Sequence, residues 1–304
     1  VEVISKCSLT FEGKARSVSK AERTRQYVSI LKGFATPPSS VRGRFESTSN
    51  QVGEMTMQYK AIVSSDWSEC LSPSGPFDCL AFNHPDIEAD LTAVFRQYTG
   101  NQISLGQAAA KIKILLPDPI SPDQMDAYLD AAFTTYTGVP DLIQWCLDHQ
   151  ILFMINSTGM IGYFQRVLAN KLLPPVPVLS AHPMIRYPGG TSDPAHVFEL
   201  HETRDKAENT QALARTLGIE PEKIILVGDS GGDGPHFEWG AGSGAYLIGS
   251  MTKPSLDRYC RDKGLALNLR FGPDYSEEEN RDQNKEMAVN FMDLATEIDR
   301  ILSH

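Results

Sequence analysis

The chain has 304 residues, 41% of them hydrophobic and 22% charged. That is enough for one large domain, or a core domain with a smaller insert, and too apolar for disorder throughout. The net charge of −10 and a pI near 5.2 exclude nucleic acid as the main partner, because phosphate backbones are held by basic surface. No apolar run reaches the length of a membrane span, and the N-terminus has no signal-like apolar stretch, so no membrane association is expected. The five cysteines (Cys7, Cys70, Cys79, Cys146 and Cys260) are odd in number and include no C-x-x-C pair. They point to free thiols in a reducing compartment, with the cytoplasm as the default expectation.

The stretch 1–58 is rich in Ser, Thr, Lys and Arg and weak in periodicity, and it reads as an N-terminal extension that packs on the core or mediates homo-oligomer formation. From Tyr59 the character changes. The run 59–63 is a short apolar strand that ends at Ser64-Ser65-Asp66, and a break follows at Ser72-Pro73-Ser74-Gly75-Pro76. Helices are expected over 87–98, 104–115 and 121–136, the last with Ser121 as N-cap and Pro122 in its first turn. With no strong strand among them, 77–136 reads as a helical cap inserted after the first strand of a core made of 59–76 and 137–304.

Beyond Gly138 helix and strand alternate. Helices are expected over 139–149, 160–170, 206–217 and from 235, strands over 151–155, 176–179, 224–227 and 245–248, and an amphipathic helix closes 277–302. Strands separated by helices of this length indicate a parallel sheet covered on both faces, so the expected fold is a three-layer, Rossmann-like α/β core with a helical cap.

In such a sheet ligands bind at the carboxyl ends of the strands. Asp66 follows the first strand, Asn156-Ser157-Thr158-Gly159 the second, and Gly228-Asp229-Ser230-Gly231-Gly232-Asp233 a later one, with Lys206 near the start of the helix between the last two. Carboxylates, a hydroxyl and an ammonium thus gather on one sheet edge. An Asp carboxylate can attack phosphorus and divide one hard step into two. Asp66 and Asp229 can share a Mg²⁺ ion, which prefers hard oxygen ligands, while Lys206 places positive charge where the transition state is most negative.

These segments resemble the haloacid dehalogenase-like hydrolase superfamily in four places and in the right order. Asp66-Trp67-Ser68-Glu69-Cys70-Leu71 stands where that family has D-x-D-G-T-L, and Ser157-Thr158-Gly159-Met160 is similar to the S-G-G-M/F form of phosphoserine-phosphatase-like members. Lys206 matches the family lysine, and Val227-Gly228-Asp229 through Asp233 matches V-G-D-x-x-x-D. The resemblance covers about 59–248. It implies a Mg²⁺-dependent phosphohydrolase acting on a small phosphorylated metabolite, through an aspartyl-phosphate on Asp66. It implies phosphate binding by Ser157, Thr158, Gly159 and Lys206, and metal binding by Asp66, the Ser68 carbonyl, Asp229 and Asp233.

The departure is Ser68. The family's phosphatases carry there a second Asp that protonates the leaving group and later activates water, and losing such a group typically costs ~10²–10⁴-fold. Ser68 therefore keeps open a phosphonatase-like or other transfer that needs no acid, and a degenerate member that binds a phosphorylated ligand or a partner. A carbon–halogen dehalogenase also lacks the second Asp but would leave Asp229 and Asp233 without a purpose. Glu69 could stand in for the acid only if its side chain turned back. The seven histidines are scattered without metal-ligand spacing.

Overall fold

The computed structural model describes residues 58–99 and 102–303. The N-terminal extension expected over 1–58 lies, apart from Gln58, outside the described residues. Strand β1 (Ala61–Ser65) is followed by four helices, α1 (Asp78–Asn83), α2 (Glu88–Thr99), α3 (Leu105–Leu115) and α4 (Pro122–Ala132). The alternating part runs α5 (Val139–Asp148), β2 (Ile151–Met160), α6 (Ile161–Ala169), β3 (Val178–His182), β4 (His196–Glu199), α7 (Asp205–Leu217) and β5 (Ile224–Gly228). It continues with α8 (Gly234–Ser243), β6 (Tyr246–Ser250), α9 (Pro254–Lys263), β7 (Leu269–Phe271), α10 (Gln283–Met287) and α11 (Asp293–Leu302).

The seven strands form one parallel sheet in the order β4-β3-β2-β1-β5-β6-β7. Both faces are covered, so the central strands read as continuous apolar runs instead of alternating ones. The two-residue period still decides which layer each side chain joins. Ala61, Val63, Ile225 and Val227 share one apolar cluster with Leu142, Ile143, Val167, Leu294 and Ile298, from α5, α6 and α11. Ile62, Ile224 and Leu226 share the other with Leu213, Phe237 and Leu256, from α7, α8 and α9. This is the three-layer α/β architecture that the sequence predicts.

Several boundaries differ from expectation for local reasons. Strand β2 runs to Met160, with a register shift between Asn156 and Met160, because Met160 pairs with His182 of β3. Ser157, Thr158 and Gly159 therefore sit on extended backbone inside the strand, not in a loop beyond it. The helix expected to Tyr136 ends at Ala132: Phe133 turns extended and the Tyr136 amide donates to the Leu71 carbonyl at 3.0 Å, drawing the chain back to the core. The expected closing helix is α11, at the C-terminal end of 277–302, and the short α10 precedes it; the Phe291 amide donates to Thr137 O at 2.8 Å between the two.

The helices between β1 and β2 are tied to the rest of the fold at two points. Arg166 of α6 makes a bidentate pair with Asp126 of α4, with Nε and Nη2 at 2.7 and 2.6 Å from its carboxylate oxygens. Ser104, the N-cap of α3, donates from Oγ to Glu202 at 2.7 Å, just before α7.

Candidate active site

The chain leaves β1 for β2 on one side and returns to β5 on the other, so the sheet's switch point lies between β1 and β5, where open α/β sheets bind ligands. Asp66 extends β1 by one residue, its amide donating to Val227 O at 2.9 Å. The buried Trp67 then starts a tight turn in which the amides of Cys70, Leu71 and Ser72 all point to its carbonyl. The Trp67 ring packs edge-on against Phe164 at 5.6 Å, which fixes where the turn begins.

From β5 come Asp229 and Asp233, both 1% exposed. Asp233 folds back beneath the loop, accepting the amides of Asp229 and Ser230 on Oδ2 at 3.0 and 3.2 Å. A Cβ at residue 228 would stand 2.6 Å from Asp233 Cγ, so only glycine allows this return. Lys206, in the first turn of α7 and 1% exposed, donates to Asp233 Oδ1 at 2.6 Å and lies 3.1 Å from Asp66 Oδ1.

A buried polar layer holds Lys206 from behind. Asn156 Nδ2 donates to the Lys206 carbonyl and to the hydroxyls of Ser64 and Thr210, and Thr210 also contacts His236 Nε2 at 3.0 Å. Burial pushes His236 down to about 3, so it stays neutral beside the Lys206 ammonium. Burial works against the charge of Lys206 as well, yet Asp233 and Asp66 outweigh it and the lysine holds its proton more firmly than a free one. Asp66 is raised, by burial above all. Asp229 is pushed up to about 7, again chiefly by burial, with Lys253 pulling the other way. Asp233 is lowered despite burial, because Lys206 is in contact with it.

Sequence reasoning missed Lys253, in the turn before α9. Its ammonium lies 2.6 Å from Asp229 Oδ2 and also pairs with Glu69. Glu69 in turn meets Arg281 Nη1 at 2.9 Å, and Arg281 reaches Glu286 through Nε at 2.8 Å and the Tyr136 hydroxyl at 2.9 Å. Charges of alternating sign therefore run from Asp229 to the C-terminal segment. Lys253 follows strand β6, so inspecting what lies beyond that strand, as for the other three, would have found it. Arg281 belongs to an irregular segment and gave no such signal.

The remaining expected residues divide. Ser157 is buried, and its Oγ accepts the Gly159 amide at 3.1 Å. Gly159 packs so closely on Pro76 that a Cβ there would meet Pro76 Cγ at 2.5 Å, which closes the 73–76 turn over this side of the site. Tyr98, from α2, is raised above the ordinary phenol value chiefly by burial, with Thr158 and the charges of Lys206, Asp66 and Asp233 near enough to act on it. Ser68 is half-buried and pairs with Ser72 as an isolated bridge. Its Oγ would lie 3.0 Å from a Cβ on Gly75.

A hard divalent cation fits this arrangement. Asp66, Asp229 and Asp233 bring carboxylate oxygens within 4.8 Å of one another, the single such cluster among the described residues. Asp229 Oδ1 is buried with no donor or cation against it, and Asp66 Oδ1 and Asp229 Oδ2 meet only the ammonium groups of Lys206 and Lys253. Such atoms are costly unless a cation or a donor meets them. Asp233 differs: Lys206 and two amides already occupy its oxygens.

No family model matches the sequence, and a search of curated proteins finds no match. Solved structures do match. A phosphoserine phosphatase with a phospho-aspartyl intermediate analogue superposes with a TM-score of 0.53 at 16% identity, covering 75% of this chain and 97% of its own. A substrate-bound phosphoserine phosphatase gives 0.52 at 15% identity, over 69% of this chain and 92% of its own. A HAD family hydrolase from Salmonella enterica serovar Typhi gives 0.52 at 17% identity, over 70% and 68%. The chain therefore has the haloacid-dehalogenase-like fold, in the form seen in phosphoserine phosphatases.

Proposed function

We propose that this chain is a Mg²⁺-dependent phosphotransfer enzyme of the haloacid-dehalogenase type, a phosphohydrolase of small phosphorylated metabolites with Asp66 as nucleophile. The observation that carries this reading is the buried Lys206 ammonium set between Asp66 and Asp233, with Asp229 completing the cluster. Three buried carboxylates face two ammonium groups, one of them shared with Glu69. That deficit of positive charge suits a dication and a phosphoryl group bound together.

Asp66 attacks phosphorus and forms an acyl phosphate on its own side chain. Lys206 offers its ammonium to the developing negative charge and keeps it aimed through Asp233, so little reorganisation is needed during the step. The Ser157 hydroxyl, Thr158 and the backbone amides near Gly159 donate to the phosphoryl oxygens. When bound by Asp66, Asp229 and the Ser68 carbonyl, Mg²⁺ supplies charge neutralisation between nucleophile and substrate. Residues 77–136 act as the cap: α2 brings Tyr98 near the charged cluster, and the 73–76 turn packs on Gly159.

The test is Mg²⁺-dependent phosphoryl transfer from a panel of small phosphorylated compounds, read both as released phosphate and as protein-bound phosphoryl. Activity is expected in the native chain and absent in Asp66→Asn. No transfer from any donor, with the Mg²⁺ site loaded, sinks the reading.

A further inference from the structure

The site provides fully for binding and poorly for moving protons. Ser68 stands two residues beyond the nucleophile with its hydroxyl 3.0 Å from where a Cβ on Gly75 would be, and an aliphatic hydroxyl neither yields nor takes a proton near neutral pH. Glu69, next to it, is drawn away. Its backbone is left-handed, with φ of 58°, and its carboxylate is held between Lys253 and Arg281. Asp233 has both oxygens occupied by Lys206 and the loop amides. A phenol gives up its proton only near pH ~10 even in water, and burial raises the nearby Tyr98 further.

We infer that this chain takes phosphoryl donors whose leaving group needs no proton, acyl phosphates above all, and that the phosphoryl group then persists on Asp66. The inference rests on Asp66 being the nucleophile. Two chemical facts carry it further. A departing carboxylate has a conjugate acid of pKa ~4 and leaves without help, whereas an alcohol is about as weak an acid as water, pKa ~16, and must be protonated as it goes. The aspartyl-phosphate formed is itself an acyl phosphate, so exchange from an acyl phosphate donor is close to balanced. From an alkyl ester the same exchange runs uphill.

The step balances without a co-reactant. A carboxylate oxygen of Asp66 bonds to phosphorus as the bond from phosphorus to the donor's acyl oxygen breaks. The electron pair leaves with the donor's carboxylate, and no proton moves. Hydrolysis of phospho-Asp66 does require a base to take a proton from water. Without a carboxylate at residue 68 that second step is slowed by ~10²–10⁴-fold, so the phosphoryl-protein accumulates.

The experiment incubates the full chain with Mg²⁺ and either acetyl phosphate or glycerol phosphate, and follows protein-bound phosphoryl by intact mass and phosphate release by time course. Acetyl phosphate is expected to load up to one phosphoryl group per chain. The group should be removed by hydroxylamine and absent in Asp66→Asn, while glycerol phosphate turns over at least ~10²-fold more slowly than acetyl phosphate is consumed. In Ser68→Asp the lifetime of the loaded group should drop by ~10²-fold or more, with a gain in glycerol phosphate turnover. Equal turnover of both donors by the native chain overturns the inference and leaves Asp66 as nucleophile. Loading that survives Asp66→Asn, or no transfer from either donor, overturns the reading of the site beneath it as well.

Discussion

Lys253 is joined to Asp229 twice: its amide donates to the Asp229 carbonyl at 2.8 Å, and its ammonium stands 2.6 Å from Oδ2. The backbone bond fixes the turn before α9, and the ammonium offsets part of the charge that burial makes costly at Asp229. Glu69 shares the same ammonium, so the turn after the nucleophile and the turn after β6 are tied across the mouth of the site. The cation missing from the sequence reading thus sits on the carboxylate expected to hold metal.

Lys253→Met is therefore expected to harm the metal-free protein more than the loaded one. Breaking a fully buried pair costs ~3–5 kcal/mol, and the loss here should be smaller because 24% of the Lys253 side chain is exposed. At ~2–4 °C per kcal/mol for a chain of this size, melting should fall by several degrees without Mg²⁺. Added Mg²⁺ should then raise Tm more in the variant than in the native protein, since the dication replaces the lost charge. Equal falls with and without Mg²⁺ would show that Lys253 is only a structural strut.

The Asp229 carboxyl, pushed up to about 7, makes metal binding pH-dependent. In the metal-free site a proton and the dication compete for the same oxygens, and binding must release the proton. Affinity for Mg²⁺ should therefore weaken as pH falls through 7, by up to about tenfold per pH unit once Asp229 is mostly protonated. Titration calorimetry at about pH 7.5 and about pH 5.5 checks the sign, and proton release at the higher acidity checks the cause. Affinity that holds steady across this range would place the metal elsewhere.

How far the sequence spoke can be judged residue by residue. Asp66, Lys206, Asp229 and Asp233 were legible because each follows a strand or opens a helix on one sheet edge, and β1 and β5 announce themselves as apolar runs. Strand β4 was not, because it lies at the sheet edge with half-exposed side chains and offers no apolar run. Tyr98 belongs to a helix that the periodicity shows, but nothing in that period tells which residue of the last turn comes near the charged cluster. Arg281 and Glu286 join the site's surroundings through Glu69 and Tyr136, which lie far earlier in the chain, and such contacts leave no local pattern.

Asp66 should also show the conflict between activity and stability that a buried nucleophile carries. Burial raises its carboxyl above the unfolded value even though Lys206 is in contact with it. Between the two values the folded chain binds more protons than the unfolded one. The stability due to this group is thus fully present below the unfolded value, near ~3.9, and is lost as pH rises through the folded one. At neutral pH the ionised carboxylate is held at a cost. Asp66→Asn, which is expected to abolish phosphoryl loading, should therefore melt higher than the native chain at about pH 7 in the absence of Mg²⁺. The gain should shrink as pH falls toward the unfolded value, because protonation then relieves the buried charge, and it should vanish or reverse with Mg²⁺, which only the native carboxylate can hold. Thermal melts of the two proteins at both pH values, with and without Mg²⁺, read all of these signs. A lower Tm for Asp66→Asn in the metal-free state at neutral pH would mean that the pair with Lys206 stabilises the fold more than burial of the charge destabilises it.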